Sequence, residues 1–289
     1  MSSEPHLILT VVCPGRVGLV AAISSFLSGR GCFIDEMSQF DDIETGLFFA
    51  RISFLPGEGE SLDTLRAAFV PVEQGFQMQA TWVAKQQPMK TLVLVSQHDH
   101  CLLDLLQRKQ RGELNIEITK VLSNHATTQP IAEFYGIEFE LLPQLDDAAQ
   151  TKAAREDRIK AAFAETESEL VILARYMQIL TEYLCAHLAG RCINIHHSFL
   201  PGFKGARPYY QAYDRGVKQI GATAHYVTSD LDEGPIIEQE VARVNHTHGP
   251  DDLLDVGRTM ETQALGKAVK YHSEHRVFVN GLKTVVLSS

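Results

Sequence analysis

The chain has 289 residues, of which 45% are hydrophobic and 21% charged, with a formal net charge of −10. That length and composition suit one large or two ordinary domains with packed cores, and exclude a disordered chain. The acidic balance argues against a general nucleic-acid binder, which would normally be basic.

The N-terminal MSSEPHLILTVV has no basic segment followed by a long apolar run, so no secretory signal is expected. No stretch approaches the roughly 18 uninterrupted apolar residues of a membrane span, so a cytoplasmic protein with no membrane association is expected. The five cysteines are scattered and form no CxxC pair. They read as reduced thiols rather than disulfides or a metal site.

Taken in order, HLILTVVC reads as a strand. PGRVGLVAAISSFLSGRG reads as a turn, an amphipathic helix and a glycine-rich stop. CFIDEMSQFDD and GLFFARISFLP read as two strands joined by a turn at Ile43–Gly46. SLDTLRAAFVPVEQ begins with a serine cap and continues as a helix, and GFQMQATWVA alternates as a closing strand. Residues 1–84 therefore predict a ferredoxin-like βαββαβ domain. Within KQQPMK, residues 85–89 supply a linker.

Residues 90–289 predict a second domain. TLVLVSQ, IEITKVLSNH, IEFELLP, ELVILARY and RCINIH read as strands. Helices fall between them, including CLLDLLQRKQRGEL, DAAQTKAAREDRIKAAFAE and TEYLCAHLAG. Alternating β and α predict an α/β fold with a doubly wound, mostly parallel sheet. Ligands bind outside the carboxyl ends of the strands in such sheets. HDHC, at 98–101, carries metal-ligand residue types without a standard zinc spacing. Asp99 reads better there as a helix cap.

The densest polar cluster follows the strand RCINIH. Asn194 and His196 are two apart and share one face of that strand. His197 alternates to the other face and reads as structural. The Gly- and Pro-rich SFLPGFKGARP must turn sharply. Farther on, TAHYVTSDLDEGPII puts His225 on a strand, with Asp230, Asp232 and Glu233 in a turn after it. Asn, His and Asp together suit chemistry at an acyl or formyl carbon: an amide donor for an oxyanion, an imidazole to move protons, and a carboxylate to activate water or fix the imidazole. GxSxG, a Walker loop and GxGxxG after a strand are all absent, so serine-nucleophile and nucleotide readings lose support. Each residue also has a purely structural reading as a cap or turn former.

NIHHSFLPGFKGARPYYQAYDRGVKQIGATAHYV closely resembles the folate-dependent formyltransferase and formyl-hydrolase superfamily, and within it the formyltetrahydrofolate deformylase family. LARYMQIL, GATAHYVTSDLDEGPIIEQ and the terminal NGLKTVV carry the same resemblance, and the first 84 residues resemble an ACT domain. The resemblance implies Asn194, His196 and Asp232 as catalytic residues. It implies a folate pocket lined on one side by Arg175, Met177, Gln178, Ile179 and Leu180, and on the other by Thr228, Ser229 and Asp230. It implies hydrolysis of 10-formyltetrahydrofolate to formate and tetrahydrofolate, with the formate feeding purine synthesis. The folate is the substrate; no cofactor and no metal are implied. An amino-acid effector at the ACT-like domain, glycine or methionine, is implied, as is a homo-oligomer, dimer or tetramer.

Two departures bear on this. Related glycinamide ribonucleotide formyltransferases carry a glycine-rich phosphate loop after the first strand of the sheet. This chain has SQHDHCLLDLL there, which disfavours a phosphate nest and favours water as acceptor. In CPGRVG, Gly15 stands where an aspartate is common, which weakens an effector site at that loop. A formyltransferase acting on an amine and a non-catalytic folate or amino-acid sensor remain as alternatives.

Overall fold

The computed structural model describes residues 6–202 and 208–288. The FKGAR part of SFLPGFKGARP, residues 203–207, lies outside the described residues. Two compact units form. The first begins with strand β1 (Leu7–Pro14), helix α1 (Leu19–Gly29), β2 (Phe33–Asp42), β3 (Leu47–Leu55), α2 (Leu62–Phe76) and β4 (Gln79–Ala84). The four strands form an antiparallel sheet in the order β2-β3-β1-β4. Ser61 caps α2: its side chain accepts from the Thr64 N–H, and the Thr64 hydroxyl accepts from the Ser61 N–H. Such a cap stabilises a helix by about 1 kcal/mol. The inward faces of sheet and helices meet in a core that includes Leu9, Ile23, Phe69 and Trp82, the last two with ring centroids 5.4 Å apart.

The second unit runs from Met89 to Ser273 and includes Gly281–Lys283. Its elements are β5 (Met89–Val95), α3 (His100–Gln110), β6 (Ile116–Ser123), α4 (Gln129–Phe134), β7 (Phe139–Leu141), α5 (Ala148–Glu165), β8 (Leu170–Ala174), α6 (Glu182–His187) and β9 (Cys192–His196). They continue with α7 (Pro208–Asp214), β10 (Gln219–Tyr226), β11 (Ile236–Arg243) and the long α8 (Pro250–Ser273). The seven strands lie in the order β11-β10-β9-β8-β5-β6-β7. The five from β9 to β7 are parallel, and β10 and β11 add antiparallel at one edge. The central parallel strands β5 and β8 are buried on both faces, which is why TLVLV and LVILA read as apolar runs. Asp99 occupies the N-cap position of α3, but its side chain makes no capping hydrogen bond, contrary to the sequence reading.

The chain then forms β12 (Val277–Asn280) and β13 (Lys283–Val286). Here the sequence-based boundary is corrected. Residues 274–280 and those from Thr284 onward group with the first unit, not with the second. Phe278 and Leu287 pack on Phe49, and Arg276 reaches Glu36 through two hydrogen bonds. These partners lie more than 200 residues away in sequence, so no local pattern announces them. All five cysteines are buried and free. No described helix is long and apolar enough to cross a membrane.

Candidate active site

The carboxyl ends of β8 and β9 open into a cavity of about 560 Å³. Asn194, His196 and Asp232 all line it. Strand alternation puts Asn194 and His196 on one face, as the spacing predicts. His197 departs from the expectation: it lines the same cavity. The reason is that β9 ends at His196, so alternation no longer governs the next residue.

Asp232 comes from the segment between β10 and β11 and holds a φ of 58°. That left-handed conformation is uncommon for a residue with a side chain, though aspartate tolerates it better than most. The segment folds tightly onto the end of β10. A Cβ on Gly234 would lie 1.8 Å from the Tyr226 carbonyl oxygen, so only glycine fits. This brings Asp232 Oδ1 within 3.2 Å of His196 Nδ1 and 3.7 Å of His225 Nε2. Burial works to raise the Asp232 pKa, but the imidazole of His196, joined by that of His225 when its ring is protonated, outweighs it and holds the carboxyl well below its ordinary range. An ionised carboxylate only accepts, so His196 Nδ1 carries a proton. A neutral His196 then has its lone pair on Nε2. That atom is buried and has no hydrogen-bond partner among the described residues.

His225 lies opposite Asn194 in the β9–β10 ladder. Its Nδ1 is 2.9 Å from the Tyr226 carbonyl oxygen, which can only accept, so Nδ1 donates. In the neutral ring Nε2 is then an acceptor, and Asn194 Nδ2 lies 3.2 Å from it. An amide nitrogen has two N–H groups. One donates to His225, and the second is left for another acceptor.

The residues read as a folate pocket line the same cavity: Arg175, Met177, Gln178, Ile179 and Leu180 on one side, Thr228, Ser229 and Asp230 on the other. Ser96 at the end of β5 holds the first segment: its hydroxyl accepts from the Met177 N–H and donates to Asn124 Oδ1. Met177, Ile179 and Leu231 are 52%, 60% and 58% exposed. Large apolar side chains left open at a cavity suit a flat, partly apolar ligand. His197 is driven down to about 4 by burial, with the Arg175 charge adding to it. It is therefore neutral near pH 7.

The formyl transferase family model matches residues 89–269. Over 288 residues, covering 99% of this chain and all of its relative, the sequence is 46% identical to the formyltetrahydrofolate deformylase of Corynebacterium sp. (strain P-1). The chain belongs to the formyltetrahydrofolate deformylase family. The crystal structure of the family member from Burkholderia mallei is 48% identical, with a TM-score of 0.93 over 98% of this chain and all of that one. Glycinamide ribonucleotide transformylase 1 from Symbiobacterium toebii has a TM-score of 0.64 at 27% identity. It covers 71% of this chain and 97% of its own.

For this member of the deformylase family, sequence reasoning noted His225 but gave it no role. Its link to Asn194 follows from the register of β10 on β9, which spacing does not reveal. Among the described residues one group offers three metal-ligand side chains, His100, Cys101 and Glu261, with ligand atoms within 4.8 Å of one another. Glu261 accepts from His100 Nε2 at 2.7 Å and from the Tyr209 hydroxyl at 2.9 Å, and faces Arg175. A cation there would meet a guanidinium, so the group reads as a hydrogen-bond network.

Proposed function

We propose that the chain hydrolyses 10-formyltetrahydrofolate to formate and tetrahydrofolate. The reading is carried by the Asn194–His196–Asp232 cluster in one cavity of a chain that matches named deformylases along their whole length. The folate lies between the 175–180 and 228–232 segments, with its formyl group beside Asn194 and His196. Asp232, ionised and bonded through Oδ1 to His196 Nδ1, holds the imidazole with its Nε2 lone pair toward the attacking water. His196 Nε2 takes a proton from that water. The water oxygen bonds to the formyl carbon, and the free N–H of Asn194 with the protonated His196 holds the tetrahedral oxyanion. The C–N bond then breaks, the nitrogen keeps the electron pair, and His196 returns a proton to it.

The finer readings rest on the resemblance. The first unit is an ACT-like domain that pairs subunits into a dimer or tetramer and takes glycine or methionine. Its βαββαβ order supports the ACT-like fold. Gly15 fits its place: a Cβ there would lie 2.5 Å from an Asp41 carboxylate oxygen. The enzyme works in the cytoplasm and its formate supplies purine synthesis. Initial rates titrated with glycine and with methionine check the effector, and a flat response to both removes it. Formate release from 10-formyltetrahydrofolate with no amine present tests the main reading; strict dependence on an amine acceptor would make the chain a transferase.

A further inference from the structure

Arg175 has features that the hydrolytic roles above leave unused. It follows β8 directly and holds a φ of 63°, a conformation uncommon for an arginine that tends to persist where function needs it. Its side chain is buried, 9% exposed, yet lines the cavity shared by Asn194 and His196. Two of its guanidinium nitrogens, Nε and Nη1, have no hydrogen-bond acceptor among the described residues.

The neighbouring carboxylate does not meet this demand. Glu261 Oε2 lies 3.4 Å from Arg175 Nε, an ion pair outside hydrogen-bond geometry. Glu261 is 1% exposed and already accepts from His100 and Tyr209. The result is a fixed, buried cation with spare donors on a residue of the cavity that Asn194 and His196 also line. A guanidinium in that state matches a small planar carboxylate.

The reaction itself makes such an anion. The formyl amide and water give the amine, formate and a proton, with the C–N bond broken, a C–O bond formed and the nitrogen reprotonated. We propose that Arg175 is the binding group for the product formate, and that Glu261, by competing for the same guanidinium, sets how readily formate leaves. This rests on the hydrolytic reading for the source of the carboxylate. A carboxylate of the folate's own glutamate tail has the same chemistry, and the experiment separates the two.

Titrating 13C-formate into the full-length protein with tetrahydrofolate present, read by 13C line broadening, measures binding without turnover. Arg175→Gln is expected to weaken formate roughly tenfold or more, as loss of a charge-assisted contact does. Glu261→Gln is expected to tighten it severalfold, a gain that a merely structural pair would not give. Should Arg175→Gln fail to fold, Arg175→Lys keeps the charge, loses the planar fork, and is expected to weaken formate about fivefold. Unchanged formate affinity in the folded Arg175 variant overturns the proposal. So does a rise in folate KM with formate binding untouched, which assigns Arg175 to the glutamate tail. Arg175-dependent formate binding in a protein that releases no formate from 10-formyltetrahydrofolate would sustain the site while removing the hydrolytic reading.

Discussion

Asn194 and His225 face each other across adjacent antiparallel strands, with amide Nδ2 and imidazole Nε2 3.2 Å apart. The Tyr226 carbonyl fixes the His225 tautomer. His225 therefore holds the Asn194 amide the right way round, nitrogen toward the ring. His225→Phe keeps a ring but removes that acceptor. It is expected to cost turnover by roughly tenfold, less than the hundredfold or more expected for Asn194→Ala, which removes the oxyanion donor itself. Steady-state kcat for both variants checks the order.

Asp232→Asn keeps the volume and removes the charge that His196 needs. Turnover is expected to fall by roughly a hundredfold or more. The same substitution has a stability signature. The Asp232 carboxyl is held below its ordinary range in the folded protein, so in acid the unfolded chain binds more protons there. Its contribution is whole above about pH 4 and shrinks as the pH falls below that. Acid unfolding of the asparagine variant is therefore expected to show a shallower dependence on pH, read by circular dichroism.

His197 titrates in the opposite sense to a paired histidine. Its folded pKa is pushed down to about 4, against an unfolded value near 6.5. Between those values the unfolded chain binds more protons, so stability drops as pH falls from about 6.5 to 4, by up to about 3 kcal/mol. His197→Gln is expected to flatten that part of the stability profile, measured by urea unfolding at several pH values.

In the first unit Glu36 bonds to both Arg51, 1% exposed, and Arg276, 9% exposed. Glu36→Ala leaves Arg51 without its carboxylate hydrogen bond and Arg276 with Glu274 alone. A loss of about 3 kcal/mol is expected. Glu36→Gln, which keeps one acceptor, is expected to lose less. Urea midpoints of the two variants check the ranking.

The β/α alternation of the second unit was legible because its buried parallel strands are continuous apolar runs. Helix α8 was not. Its buried positions include Gly257, Glu261, Gly266 and Ser273, so small and polar residues hide the apolar period. The attachment of the C-terminal residues to the first unit was equally hidden, since Phe278 meets Phe49 only in three dimensions. Within the site, strand alternation paired Asn194 with His196. The same rule misplaced His197, one residue beyond the strand end. Nothing in spacing alone brought Asp232 to His196. That depends on a left-handed Asp232 and on Gly234 packing against the Tyr226 carbonyl; in the sequence, only family resemblance linked the two residues. Arg175 was legible as a pocket residue, but not its burial or its unmet donors.

Asn194, His196 and Asp232 are proposed to direct water onto a formyl carbon. The most direct measurement is the reaction of 10-formyltetrahydrofolate in 18O-water with no amine present. The expected result is stoichiometric tetrahydrofolate and formate carrying one 18O from the wild-type protein, and next to none from Asp232→Asn. Absence of labelled formate from the wild-type protein, or an undiminished rate from the variant, would contradict the claim.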